Sequence, residues 1–495
     1  LEQKLRFKNG KKFVKIKELR LLFSMSKFYV TTSIAYTNAP PHLGFALESV
    51  QADVIARYHR LLGEDVFFLT GTDEHGQKNV KAAKETGKEV KEFVDGISAS
   101  FRRLTKALNL SNNDFIRTSD QKKHWPAVKK VWLKLKEKGD IYKEKYKGLY
   151  CSGCEAFITK KDLEDGKCAI HQTEPEIIEE ENYFFRLSKY SKQIEKLISE
   201  GKIRIVPQER KNEVLNFVKK GLEDISFSRP RKDLKWGIPV PDDESQTVYV
   251  WCDALLNYLS ALDYSKDGES FKKYWPADVH CIGKDILKFH ALIWPGMLLS
   301  LDLPLPKTIF VHGFITAEGK KMSKSLGNVV DPFEIVKKYG ADPLRYFLLR
   351  EIPPTEDGDF TFEKFEERYN SDLAKGLGNL IARVLTLADN SKVYDQKTEF
   401  KGEIRKTEEN CKKLMAEFKF NEALTAIWQL IGFYDRYIEE KRPWEENREQ
   451  KEVIGNLLFA ISNIAEMLKP FLPETSEKIL KQLKEKKSEP LFPRL

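Results

Sequence analysis

Apolar and polar positions divide the chain into two regimes. Four short runs rich in β-branched and aromatic residues, Phe28–Ile34, Val66–Thr70, Val279–Ile282 and Thr308–Val311, each end in a polar or glycine-bearing turn and lead into a helical pattern. That alternation predicts an α/β fold, a Rossmann-like parallel sheet with crossover helices whose ligands sit at the carboxyl ends of the strands. The first two units precede residue 80 and the last two follow residue 275, so an insertion rich in Lys and Glu splits the sheet. After about residue 366 glycine and proline thin out and a helical period takes over. Leu424, Ile427, Ile431, Tyr434 and Ile438 share one helical face, as do Val453, Ile454, Leu457, Leu458, Ile461 and Ile464. An all-α bundle is expected there. The expected divisions are a basic extension over 1–24, the first half of the sheet domain over 25–139 and the insertion over 140–229. The second half of the sheet domain follows over 230–330, then a connecting segment over 331–365 and the bundle over 366–495.

Composition narrows the class. A length of 495 residues implies two to four domains. With 41% hydrophobic and 32% charged residues, collagen-like, mucin-like and globally disordered classes are excluded. The excess of 84 basic over 75 acidic residues, +9, suits a polyanionic partner without establishing one. The most apolar stretch, Ile286 to Leu301, is interrupted by Lys288, His290 and Pro295, so no membrane span is expected. Residues 1–24 lack a continuous apolar core and carry Glu2 and Glu18 with little serine. They read as a dispensable basic extension ahead of Met25 rather than a secretory or organellar signal. Six cysteines, three of them in one short window, fit a reducing cytoplasm and a metal site rather than a disulfide framework.

Three local patterns carry candidate chemistry. Pro41-His42-Leu43-Gly44-Phe45 joins the first strand to a helix, where free N–H groups and a histidine suit phosphate. Taken alone, it reads as readily as a structural junction. Lys321-Met322-Ser323-Lys324-Ser325, between Gly319 and Gly327, offers two ammonium groups and two hydroxyls that can grip a triphosphate, or simply form a solvated surface loop. Cys151-x2-Cys154 and Cys168-x2-His171, thirteen residues apart, supply four N/S ligands in two short knuckles. That set suits one tetrahedral Zn²⁺ with no open position, and hence a structural metal.

The two pentads, in this order around a cysteine-bearing insertion, resemble the HIGH and KMSKS motifs of class I aminoacyl-tRNA synthetases. Tyr29–Tyr36, the run Thr70-Gly71-Thr72-Asp73-Glu74-His75-Gly76-Gln77, Gly221–Arg229, Val250–Tyr258, Gly283–His290 and Gly378–Arg383 narrow the resemblance to the bacterial-type methionyl-tRNA synthetase family. It runs from about residue 27 to the mid-400s. The resemblance implies activation of L-methionine by ATP·Mg²⁺ to methionyl-adenylate and transfer to the 3′ end of tRNA(Met), in the cytoplasm. It implies that His42 and Gly44 serve ATP, that Asp285 binds the ribose, and that Lys321, Ser323, Lys324 and Ser325 hold the triphosphate. Asp73 is the implied anchor of the α-ammonium, oriented by Arg229. The side-chain pocket falls to Ile34, Ala35, Tyr36, Trp251, Ala254, Tyr258, Ile286, His290 and Trp294, where aromatic rings suit a thioether. One departure stands out: Phe45 occupies a position usually held by histidine, where a phenyl ring can wall off the adenine but cannot bond phosphate. The zinc knuckles match the family's connective insertion. Asn379 and Arg383, one helical turn apart, and Trp444 at a helix break match its anticodon-reading positions, which suits the aromatic stacking and base-edge contacts of RNA recognition.

Two rival readings remain at this level. A class I synthetase for another aliphatic amino acid lacks room here for the large editing insertion, and a silent RNA-binding scaffold sits poorly with intact Asp73, Asp285, Lys321 and Lys324. No β-rich OB-type stretch follows the helical region, so a monomer, or a chain whose OB module is a separate polypeptide, is expected.

Overall fold

The four β-rich runs become neighbouring strands of a single parallel sheet: Lys27–Thr32, Asp65–Asp73, Val279–Gly283 and Thr308–His312. This computed structural model describes residues 26–153, 156–158, 162–169, 172–322, 328–393, 401–445 and 449–493, so the basic extension 1–24 lies outside the described residues. The sheet order is Arg204–Val206, Thr308–His312, Val279–Gly283, Lys27–Thr32 and Asp65–Asp73, with Ala35–Tyr36 and Asp114–Arg117 both paired to the last. Register is continuous through the centre: Val30 faces Val279 on one side and Phe68 on the other. Side chains alternate between the two faces, as strand geometry requires. Phe28, Val30, Val279, Cys281 and Phe310 enter one hydrophobic core; Tyr29, Ile282, Ile309 and Val311 enter another. Both faces are therefore covered, the usual condition for a parallel sheet.

Three strands escape the sequence pattern: Ala35–Tyr36, Asp114–Arg117 and Arg204–Val206. The last corrects a boundary. It lies inside the expected 140–229 insertion, yet it pairs with Thr308–His312 at the edge of the parallel sheet. Helices Ser191–Ser199 and Gln208–Lys219 flank it. What stands apart is narrower, an antiparallel sheet ordered Ile225–Ser226, Glu176–Phe185, Ile141–Cys151 and Ala156–Ile158.

The C-terminal helices form as their periodicity predicts. Leu424, Ile427, Tyr434 and Ile438 are wholly buried on helix Phe420–Lys441, and Ile454, Leu457, Ile461 and Ile464 on helix Gln450–Leu468. Their core is continuous with the one under helix Leu43–Leu61. No helix among the described residues is long and apolar enough to cross a membrane.

A buried charge cluster fastens the bundle to the sheet. Arg345 is fully buried; it donates to Asp53 on helix Leu43–Leu61 at 2.8 Å and to the carbonyls of Phe471 at 2.9 Å, Pro470 at 3.0 Å and Leu108 at 3.2 Å. Arg57 and Ser111 complete the shell around Asp53. Burial raises the Asp53 pKa, but Arg345, Arg57 and the Ser111 hydrogen bonds outweigh it and the carboxyl titrates below its ordinary range. Arg345→Leu strips the main counter-charge from a buried carboxylate and orphans three carbonyls. A loss of about 3 kcal/mol is expected in urea unfolding, against at most a few tenths for an exposed control such as Lys392→Leu.

Candidate active site

The strand ends open into a cavity of about 400 Å³. Ser33 to Tyr36 after the first strand, Asp73 at the end of the second, Gly283, Asp285 and Ile286 at and after the end of the third and His312 to Ile315 at and after the end of the fourth all line it. Four distant segments therefore meet because four parallel strands stop at one edge.

At the nucleotide-like end, His42 caps helix Leu43–Leu61: its Nδ1 accepts from the N–H of Gly44 at 3.0 Å. A Cβ on residue 44 would lie 2.7 Å from the His42 ring, so only glycine permits this cap. The ring is exposed at the cavity mouth, but the protein mass around it lowers its pKa. With Nδ1 accepting, the neutral tautomer carries its proton on Nε2, free to donate to an anion. Asp285 is exposed on the turn after strand Val279–Gly283, its Oδ1 tucked so close that a Cβ on Gly283 would stand 2.7 Å away. Phe45 is buried edge-on to Phe101, with ring centroids 4.7 Å apart, and forms wall rather than ligand. Met322 brings the start of the basic loop to the cavity, from a hairpin in which Lys321 pairs with Thr316. Ser323, Lys324 and Ser325 lie outside the described residues.

The apolar end is built from rings. Trp251 stacks on Phe289 with centroids 3.5 Å apart and meets Tyr36 edge-on at 6.4 Å. Tyr258 donates from its hydroxyl to His290 Nε2 at 2.7 Å, while His290 Nδ1 donates to the Ile286 carbonyl at 3.0 Å. Both nitrogens are thus used by a neutral ring, and burial pushes the His290 pKa down to about 4. Ile34, Ala35, Ala254 and Ile286 complete the slot. At its rim the Asp73 carboxyl, 2% exposed, reaches Thr118 Oγ1 at 3.5 Å.

Two expected pocket residues sit elsewhere. Trp294 is wholly buried behind the wall, with Nε1 donating to His280 Nε2 at 3.2 Å. The segment Phe289–Ile293 is π-helical, so the wider turn breaks the i, i+4 face that His290 and Trp294 would share. Arg229 does not orient Asp73. Its guanidinium pairs with Glu180 at 3.0 Å and lies over the Tyr150 ring at 4.3 Å, on the antiparallel insertion sheet. A bonded partner 49 residues upstream held it there.

Sequence reasoning also missed a buried pair at the cavity floor. Glu48 accepts from Ser33 N at 2.7 Å and from His312 Nε2 at 2.8 Å, while His312 Nδ1 donates to the Gly313 carbonyl at 2.7 Å. Burial lowers the His312 pKa, but Glu48, the Gly313 carbonyl and Asp285 outweigh it and hold the imidazole above its ordinary value. A carboxylate on the inward face of the helix that follows His42 was the available signal.

The cysteine knuckles are partly in view. Cys151 and Cys168, each 1% exposed, fall in one small buried cluster with Ile158. Two thiols brought together at the ends of two hairpins fit a thiophilic ion; Cys154 and His171 lie outside the described residues. In the bundle, Asn379 is exposed, Arg383 pairs with Glu439 at 2.6 Å, and Trp444 is 50% exposed just past helix Phe420–Lys441.

The sequence family described as tRNA synthetases class I (M) matches residues 28–164 and 151–385. An anticodon-binding domain of tRNA ligases matches residues 398–493, a span that holds Trp444 while Asn379 and Arg383 fall in the first match. A methionine–tRNA ligase of Caldanaerobacter subterraneus is 45% identical over 92% of this chain and 74% of its own length. Another, of Brucella suis, is 42% identical over 92% of both. Among solved structures, Mycobacterium tuberculosis methionyl-tRNA synthetase in complex with methionyl-adenylate superposes with a TM-score of 0.88, at 37% identity over 95% of this chain and all of that one.

The neutral state of the slot makes an acid-side prediction. Between pH 6.5 and about 4 an unfolded histidine binds a proton that folded His290 refuses, so stability falls as pH falls through that window. The contribution is on the order of 3 kcal/mol across it. His280, whose pKa burial also lowers, acts in the same direction. Urea midpoints measured from pH 7 to pH 4 should therefore drop less steeply in His290→Gln.

Proposed function

Because the chain belongs to the methionine-specific family of class I tRNA synthetases, we propose a division of labour among its residues for that family's reaction. The activity is that of a methionine–tRNA ligase. A carboxylate oxygen of methionine attacks the α-phosphorus of ATP·Mg²⁺, the bond to pyrophosphate breaks, and methionyl-adenylate forms. A hydroxyl of the tRNA 3′-terminal ribose then attacks the acyl carbon and AMP leaves. No protein group forms a covalent bond, so rate comes from positioning and from charges fixed where charge develops.

The observation that carries this reading is one cavity with a carboxylate rim, a neutral aromatic slot and a helix N-terminus. In it the Asp73 carboxylate holds the α-ammonium and the slot takes the thioether. Tyr258 and His290 spend their polar atoms on each other, so the slot offers sulfur ring faces and no competing charge. His42 Nε2–H, at the positive N-terminal end of helix Leu43–Leu61, meets phosphate oxygens, and Asp285 meets the ribose hydroxyls. Lys321 and Lys324, with Ser323 and Ser325, hold the triphosphate. Arg229 is not part of this set, because Glu180 already holds it.

Cys151, Cys154, Cys168 and His171 hold one Zn²⁺, which supplies a rigid fold for the insertion and no step of the reaction. That insertion reaches the cavity, where Lys78 donates to the Gly153 carbonyl and Gly153 joins the lining. Asn379, Arg383 and Trp444 read the anticodon of tRNA(Met). We place the protein in the cytoplasm as a monomer, alone or beside a separate OB-fold tRNA-binding chain; light scattering with and without tRNA distinguishes these.

ATP–pyrophosphate exchange over a panel of amino acids tests the reading. Methionine should drive exchange and leucine should not; the reverse result, or none with any amino acid, would overturn it. Asp73→Ala removes a charge-assisted hydrogen bond worth about 1.5–3 kcal/mol, so KM for methionine should rise about ten- to a hundredfold. Cys168→Ser should lower bound zinc well below one per chain in atomic absorption, with a lower thermal midpoint.

A further inference from the structure

Behind the cavity wall lies a buried polar array that the reaction as described does not use. Asp253 is fully buried and absent from the cavity lining, although its neighbours Trp251, Ala254 and Leu255 are all in it. Its two oxygens hold two histidines from different parts of the chain: Oδ2 meets His75 Nδ1 and Oδ1 meets His124 Nε2, both at 2.6 Å. His124 Nδ1 continues to Ser260 Oγ at 2.7 Å, and Ser260 Oγ reaches the carbonyl of Asn257, another cavity residue, at 3.2 Å.

Both histidines lead to the ammonium anchor. His75 is two residues from Asp73, and Asn79 Nδ2 clamps the carbonyls of both, at 2.9 Å to His75 and 3.3 Å to Asp73. His124 precedes Trp125, whose Nε1 donates to the Thr118 carbonyl at 3.2 Å. Thr118 Oγ1 in turn lies 3.5 Å from the Asp73 carboxyl and accepts from Glu74 N at 2.8 Å. Asp253 therefore ties the short helix bearing the aromatic wall to both segments that fix Asp73.

Resting on the methionine reading of the cavity, we infer that Asp253 is a positioning residue that sets the span between the Asp73 carboxylate and the Trp251–Ala254 wall through His75 and His124, and so governs affinity for the amino acid. Methionine must bridge that span from its ammonium to its thioether, whereas ATP touches only the Asp285 and His42 side. The two histidines favour the ionised state of Asp253 over the opposing effect of burial, and its carboxyl titrates below its ordinary range. The array is thus held by charge-assisted hydrogen bonds, which are strong and directional.

The test is steady-state pyrophosphate exchange by the whole chain, with thermal midpoints recorded alongside. Asp253→Asn should raise KM for methionine at least tenfold while KM for ATP stays within twofold and kcat within threefold. A methionine KM within twofold of wild type, or a parallel rise in both KM values, would overturn the inference. A second comparison decides the matter even where Asp253→Asn does not fold. His124→Gln keeps a donor where Nε2 stood and should stay within threefold of the wild-type methionine KM, while His124→Leu should exceed tenfold; equal values would sink the positioning role. Absence of methionine-driven exchange in wild type would instead strike down the functional reading, and this inference with it.

Discussion

Parallel pairing that ends along one edge is the constraint from which the site follows. Lys27–Thr32, Asp65–Asp73, Val279–Gly283 and Thr308–His312 run the same way and stop along one edge. Where a ladder stops, backbone groups lose their partners and the chain must turn, so that edge collects donors, acceptors and loops. Asp73, Asp285 and His42 reach that edge from three segments far apart in the sequence. The two hydrophobic cores beneath hold the strands in register, and a slip of one residue would turn Tyr29 and Val30 to each other's faces.

Within that edge the two ends of the cavity solve opposite problems. The end proposed for the nucleotide must attract charge and keeps its groups open: the His42 ring and the Asp285 carboxyl are exposed. The apolar end must admit a polarizable but uncharged side chain, so its polar atoms are consumed in pairs. Tyr258 pairs with His290 in the slot itself and Trp294 with His280 behind its wall, so both imidazoles stay neutral and the slot keeps ring faces. Such a slot separates substrates that differ by one methylene by only about 1–3 kcal/mol. Sharper rejection has to come from the fixed distance between slot and anchor, which makes the rigidity of the wall as consequential as its chemistry.

The sheet was legible because its central strands carry β-branched and aromatic runs that exit into polar or glycine-bearing turns, and the bundle because Leu424 to Ile438 keep a helical period. Strand Arg204–Val206 was not, since three residues between two charged helices leave too short a pattern. Most of the cavity could be placed by resemblance, but Trp294 and Arg229 could not. A π-turn changed which face Trp294 presents, and Glu180 captured Arg229 across a sheet. The Glu48–His312 pair joins residues 264 apart, a contact with no local trace in the sequence. Local periodicity encodes elements; partners chosen across the fold are encoded only jointly.

The same distinction bears on the anticodon contacts proposed for the bundle. Arg383 is held by Glu439 at 2.6 Å, but both side chains are substantially exposed, at 30% and 64%. An ion pair in such a setting is worth at most about 1 kcal/mol. A bidentate arginine contact to a base edge discriminates by about 1–3 kcal/mol, and a base stacked on an exposed ring such as Trp444 contributes a similar amount. In the anticodon role proposed for Arg383 and Trp444, exchange of Glu439 for a nucleotide is therefore favourable once the ring is occupied. Arg345 is the opposite case: wholly buried against Asp53 and three carbonyls, it has no cheaper partner to move to. The weak pair leaves the proposed reading surface free to respond, while the strong one carries the bundle on the helix capped by His42.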